Sequence, residues 1–160
     1  KNALRDFKGV KRRFTLVAKI NKNKIFDDYA HHPKEISATL TALKQISKEK
    51  IIAIYEPHRY TRLKDLFSDF SSCFIKADII FILPVFAAGE KKIKGFDSKK
   101  LVLEIRRKLK KEVYLVDSEK VLFFEIKKKI KPNDNIIFLG AGPITKLANS
   151  LPIFLKSRKC

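Results

Sequence analysis

The sequence predicts an α/β fold: a Rossmann-like, doubly wound layer with a mostly parallel sheet and an N-terminal β-hairpin. Three observations point to it. Short, continuous apolar runs such as Ile51–Tyr55 and Ile79–Leu83 recur without the polar alternation of a half-exposed strand. Between them, apolar residues fall three and four apart, the period of a helix with one buried face. Strand and helix then alternate along nearly the whole chain, and right-handed crossovers place helices on both faces of one sheet.

The elements follow in order. Residues 13–20 and 24–28 form two strands around the polar turn Asn21-Lys22-Asn23, a hairpin. Ile36, Leu40, Leu43 and Ile46 mark the first helix, opened by Pro33, whose fixed φ suits a first turn. Ile51–Tyr55 is a strand, and Leu63, Leu66, Phe67, Phe70 and Phe74 mark one further helix. Ile79–Leu83 is the next strand, followed by a helix with Leu101, Val102, Ile105 and Leu109 on its inner face. Val113–Val116 and Ile136–Leu139 complete the strands, separated by a helix from Val121 to Ile130. A last helix carries Ile144, Leu147, Leu151 and Leu155. No repeat or low-complexity linker interrupts the 160 residues, which read as a single domain, 1–160.

Composition narrows the class. A hydrophobic content of 45% and a charged content of 33% describe a globular protein, and no run nears the ~18 apolar residues of a membrane span. The N-terminal residues have no apolar core segment of the signal-peptide kind. Cys73 and Cys160 match no zinc or redox spacing, so the expected compartment is the reducing cytoplasm, with no membrane partner. The absence of methionine leads us to expect a piece of a longer protein. The net charge is +19, densest at Lys91–Lys94, Arg106–Lys111 and Lys127–Lys131. These runs read as solvated helix faces and loops; the alternative is a basic nucleic-acid-binding module. Aromatics sit mainly in the apolar patterns rather than among the basic runs, so no stacking platform for bases is evident.

Chemistry concentrates in two motifs, each at a strand-to-helix junction where open α/β sheets bind ligands. The first is Asp27-Asp28-Tyr29-Ala30-His31-His32-Pro33. Asp28 and His31 read either as turn and capping residues or as ligand-binding groups. With His58 the paired histidines raise the question of a metal, but no ligand spacing supports one. The second motif is Glu56-Pro57-His58-Arg59-Tyr60-Thr61-Arg62. Arg59 and Arg62, three residues apart, either present two guanidiniums to a small carboxylate or phosphate or pair internally with Asp65 and Glu56. Gly140-Ala141-Gly142 follows the last strand but lacks the third glycine and downstream acid of a dinucleotide fingerprint; a tight turn is the simpler reading. Ala87-Ala88-Gly89-Glu90 is a loop at the same sheet edge, and no P-loop sequence is present.

In this order the segments resemble the C-terminal domain of the Mur ligases, most closely the alanine-adding branch. The resemblance covers nearly the whole chain. Phe7-Lys8-Gly9-Val10-Lys11-Arg12-Arg13-Phe14 is similar to the family's lead-in to the domain, which makes residues 1–13 the hinge segment. Asp27–Pro33, Pro57–Arg62, Ala88-Gly89-Glu90 and Gly140-Ala141-Gly142 recur at similar spacings. The chain departs from the pattern at Glu56, where glutamine is usual, at Ala30, where glycine is common, and at Pro143, which replaces a polar residue. The resemblance implies an ATP- and magnesium-dependent amide ligase that joins L-alanine to UDP-N-acetylmuramate through an acyl phosphate, in peptidoglycan precursor synthesis. It implies that the UDP-binding and central ATP-binding domains lie outside this chain, that the central domain is its partner, and that the fragment alone is inactive. Arg13 and Asp28 would contact the nucleotide. His31, Arg59 and Arg62 would bind the alanine carboxylate and the reacting region, with Tyr29 and His58 in support, and no metal ligand is assigned.

Overall fold

The computed structural model describes residues 12–157; Cys160 and positions 1–11 of the hinge segment lie outside the described residues. The elements are β1 (Thr15–Ile20), β2 (Asn23–Asp28), α1 (Pro33–Ile46), β3 (Ile51–Tyr55), α2 (Tyr60–Asp65), α3 (Phe67–Phe70), β4 (Ile79–Ile82), α4 (Ser98–Leu109), β5 (Glu112–Leu115), α5 (Glu119–Lys129), β6 (Asn135–Leu139) and α6 (Ile144–Lys156). Among the described residues six strands form one sheet in the order β1-β2-β6-β3-β4-β5. Of these, β1 runs antiparallel, paired with β2, and the other ladders are parallel.

The hairpin closes through Asn21 and Lys22, whose φ values of 48° and 69° give the left-handed pair of a two-residue turn. Such a turn matches the right-handed twist of the strands it joins. Beyond it the chain steps from β2 through β3 and β4 to β5 in one direction, so α1 to α4 cover one face. It then reverses and inserts β6 between β2 and β3, which sends α5 and α6 to the other face. Each face has its own core. Ile36, Leu40, Leu43, Phe70, Phe74 and Leu101 fill the first, with Ile52, Ile54, Phe81, Leu122, Ile126 and Leu151 in the second.

One difference from the sequence reading has a physical cause. The helix expected from Leu63 to Phe74 divides into α2 and α3 at Leu66, whose φ of −112° and ψ of 22° leave the helical region. The break brings Phe70 and Phe74 under β3, with ring centroids 5.5 Å and 5.4 Å from that of Tyr55. As the sequence reading expects, the basic runs lie on helices and in a loop: Arg106, Arg107 and Lys108 in the last turn of α4, Lys127, Lys128 and Lys129 in that of α5, and Lys91–Lys94 between β4 and α4. In those last turns they complement the helix macrodipoles. No helix among the described residues is long and apolar enough to cross a membrane.

Helix starts are capped from within the sequence at α4 and α5, where Asp97 accepts from the Lys100 amide and Ser118 from the Val121 amide. At α6, Pro143 supplies no side-chain cap. Glu56, just after β3, lies buried beside that start, where the Ile144 amide favours its charged form. A Cβ at Gly142 would collide with the Glu56 carboxylate, so glycine is required by close approach.

Two stability predictions follow from these buried polar groups. The Tyr55 hydroxyl is fully buried and has no hydrogen-bond partner, so Tyr55→Phe should raise stability by about 1 kcal/mol in denaturant unfolding. A loss of stability would mean that the hydroxyl is satisfied in solution. Burial lifts the Glu56 carboxyl above its ordinary value, outweighing the Ile144 amide and the Arg12 charge. The folded chain therefore holds this proton more tightly than the unfolded chain. The stability associated with Glu56 declines as pH climbs from the ordinary carboxylate range through the raised folded value. Glu56→Gln removes that slope, so the stability of the variant relative to the parent should grow with pH across this window.

Candidate functional site

Strand register assembles the site. Asp28 at the end of β2 and Tyr55 at the end of β3 both lie opposite Leu139 of β6. The two motifs therefore leave the sheet at one level, on either side of the Gly140-Ala141-Gly142 turn. Glu56 already fills the helix start behind that turn.

In the first motif Asp28 shapes the loop. Its Oδ1 accepts from the Ala30 amide and its Oδ2 from the Phe14 amide, each at 2.7 Å. Burial nevertheless outweighs these amides and lifts its carboxyl above the usual range. The capping role falls to His32 rather than His31. Nδ1 of His32 accepts from the Lys34 amide, and Glu35 reaches back to the amides of His31 and His32, each at 3.1 Å, which closes a capping box. His31 is thereby left at the loop tip, its Nδ1 2.9 Å from the Tyr29 carbonyl and its ring edge-on to Tyr29.

The second motif faces it. The rings of His31 and His58 lie 6.3 Å apart, and His58 packs on Phe86 at 5.4 Å. Burial lowers the His58 pKa, and the charges of Arg62, His31 and Arg59 lower it further. Neutral, its Nδ1 sits 3.4 Å from Nη1 of Arg62 as a ready acceptor. Arg59 adopts φ 72° and ψ 134°, a conformation that L-residues rarely take, pinned by its amide donating to the Phe86 carbonyl at 2.9 Å. Such backbone costs roughly 1–3 kcal/mol and collects at functional sites. Among the described residues neither Arg59 nor Arg62 forms an ion pair, so the pairing with Asp65 and Glu56 is not made. The amide and hydroxyl of Thr61 are held instead by Glu90, from the Ala87–Glu90 loop.

A third group gathers beside the first motif. Arg13, Phe14, Asp28, Tyr29 and Ala30 line a cavity of ≈ 290 Å³ with Glu35, Ala38 and Thr39 of α1. Arg13, Asp28 and Tyr29 thus share one space, wide enough for a flat heteroaromatic ring. Next to it Arg12 and Asp27 form an ion pair at 3.5 Å that the sequence reading did not single out. Their neighbours Arg13 and Asp28 carry the motif resemblance and hid them. Among the described residues no three His, Cys, Asp or Glu side chains come together to hold a metal. Among the described residues the arrangement gathers two guanidiniums without a carboxylate partner and two imidazoles beside a pocket with a cationic and aromatic rim.

Comparison with known proteins gives this geometry its relatives. A sequence model of the Mur ligase, glutamate ligase domain, matches residues 12–142. The chain is 45% identical over 157 residues to the UDP-N-acetylmuramate–L-alanine ligase of Agrobacterium fabrum, covering 98% of this chain and 33% of that protein. It is 46% identical to the enzyme of the same name from Rickettsia bellii, covering 95% and 33%. The crystal structure of UDP-N-acetylmuramate-alanine ligase from Thermotoga maritima superposes with a TM-score of 0.78 at 28% identity, over 99% of this chain and 33% of that one. The chain thus spans about a third of the length of these relatives. Fold, motifs and kinship agree: the chain belongs to the Mur ligase family, and residues 12–142 are its glutamate ligase domain.

Proposed function

We propose that this chain is the C-terminal, amino-acid-binding domain of an ATP-dependent ligase that joins L-alanine to UDP-N-acetylmuramate, in the cytoplasm. The observation that carries this reading is the pair of arginines without an internal counter-ion, Arg59 on strained backbone and Arg62 against His58. Two guanidiniums can hold one carboxylate in fixed orientation. An amide ligase must do this with its amino acid, leaving the amine free to attack an activated carboxyl. Arg59, Arg62 and His31 bind the alanine carboxylate and steady the charge of the reacting region. Neutral His58 orients Arg62 without adding positive charge, and Tyr29 closes the side of the loop.

The cavity lined by Arg13, Asp28 and Tyr29 fits the nucleotide side of such a site. Arg13 would supply charge to phosphate oxygens, Tyr29 an aromatic face, and Asp28 the loop geometry that aims both. ATP supplies the phosphoryl group that activates the muramate carboxyl. Magnesium and the phosphate cradle belong in this reading to the central domain of the full-length protein, which is also this domain's partner. Closure of the two domains would exclude water from the activated carboxyl.

The first test is phosphate release from ATP by the full-length protein. Release that requires both UDP-N-acetylmuramate and L-alanine supports the reading, and release indifferent to alanine sinks it. In that protein Arg59→Ala should raise the KM for alanine by about 10- to 100-fold, the loss expected for a charge-assisted bond, with the KM for ATP within about twofold. Equal rises would remove Arg59 from the alanine site. Arg59→Gly should show the same kinetic defect together with a stability gain of about 1 kcal/mol, because glycine relieves the positive φ.

A further inference from the structure

We propose that Arg12 is a positioning residue: its guanidinium clasps the hinge segment to the ends of β2 and β6 and thereby places Tyr29 and Arg13. The assignment deepens the ligase reading and rests on it for the nucleotide side alone; the clasp itself stands on geometry.

Arg12 reaches two separate stretches of chain at once, the β6–α6 turn and the end of β2 with its following loop. Its Nη2 donates to the carbonyls of Gly140 at 2.6 Å and Gly142 at 3.2 Å, on the β6–α6 turn. Its Nε lies 3.5 Å from Oδ2 of Asp27 on β2, an oxygen that also accepts from the Thr145 hydroxyl of α6. Its cationic carbon stands 4.9 Å from the centre of the Tyr29 ring. The main chain joins in, since the Arg12 carbonyl accepts from the Tyr29 amide at 2.6 Å. The turn carbonyls take both bonds from Nη2, the buried carboxylate faces Nε as an ion pair, and the ring meets the flat face of the fork. A lysine ammonium has neither the fork nor the face.

The clasp acts on its neighbours. Arg12 and Phe14 both take positive φ, 63° and 49°, and the Phe14 amide is tied to Asp28. Arg13 lies between these two fixed points, and its side chain reaches the cavity that Tyr29 and Asp28 also line. Arg12 is not among the residues lining that cavity, and its side chain is only 23% exposed. Its influence on a ligand there passes through Tyr29 and Arg13. Asp27 is the buried counter-charge that keeps the guanidinium in place: its side chain is 5% exposed, and its other oxygen has no partner.

The test uses the full-length protein with Arg12→Ala and Arg12→Lys. Hydrogen exchange at the Tyr29 amide, measured without nucleotide, should quicken by about tenfold or more in Arg12→Ala, with the interior amides of α1 unchanged. The KM for ATP should rise by about tenfold and by clearly more than the KM for alanine. Arg12→Lys should recover little of either effect; full recovery by lysine would overturn the clasp in favour of simple charge. In a background carrying Tyr29→Ala and Arg13→Ala, Arg12→Ala should add less than about twofold to the KM for ATP, because its influence passes through those two side chains. Additive effects would overturn the proposal by making Arg12 a direct nucleotide contact. So would unaltered exchange at Tyr29, or equal rises of both KM values with a lowered melting temperature. If Arg12→Ala does not fold, Arg12→Lys carries the same comparisons. A parent protein without alanine-dependent phosphate release would defeat the ligase reading, while the exchange measurement would still decide the clasp.

Discussion

The insertion of β6 between β2 and β3 is the constraint on which the site depends. Neighbouring strands lie about 4.8 Å apart, so one strand between the two motif-bearing strands separates them by roughly 10 Å. Side chains from both then converge over the end of the intervening strand, and the His31 and His58 rings close to 6.3 Å. The intervening strand must end in something small. Gly142 meets that need, and the space it leaves admits the Glu56 carboxylate to the start of α6. Had β6 paired at the sheet edge, the two motifs would be adjacent and their loops would compete for the same volume.

Acids and arginines divide the work at this edge of the sheet. Asp28 and Glu35 hold backbone amides, Glu56 lies over the start of α6, Glu90 holds Thr61, and Asp27 holds Arg12. Each negative charge is committed to fixing a loop or a helix start. Arg59 and Arg62 are left as uncommitted cations, in a field that also holds His58 neutral. Positive backbone φ at Arg12, Phe14, Arg59 and Ala88 clusters in the same loops. Strained backbone persists only where the surroundings over-determine it, and here the committed carboxylates and the turn carbonyls do so.

The strands were legible because parallel strands buried on both faces need unbroken apolar runs; Ile51–Tyr55 is such a run and is β3 to the residue. What the sequence did not disclose was order in space. Periodicity reports which face a residue buries, not which strand lies beside it, so the central place of β6 was out of reach. The same limit explains the helix break at Leu66, where the pattern Leu63, Leu66, Phe67, Phe70 remains helical although the backbone departs from it to seat Phe70 and Phe74 against Tyr55. Within the motifs, residue type identified the chemistry but not the assignment among neighbours. His31 and His32 are adjacent and identical, and only the capping geometry separates the structural imidazole from the one left at the loop tip. Arg12 and Arg13 pose the same problem, resolved only by which of them meets Asp27.

Half of a reaction site has a recognisable form. This domain offers cations for a small carboxylate and a pocket rim for a flat ring, yet the turn best suited by sequence to cradle phosphate is filled by its own Glu56. A carboxylate at a helix start does for the backbone amides what a phosphate would do. In the proposed reading phosphate meets Arg13 away from that turn, with the rest of its cradle on the central domain, and the loops need to hold their shape before that cradle arrives. Rigidity in advance is what the committed carboxylates, the capping box and the arginine clasp provide. In the proposed reading a rigid half-site would limit the ordering cost of domain closure to the hinge rather than spread it through the binding loops.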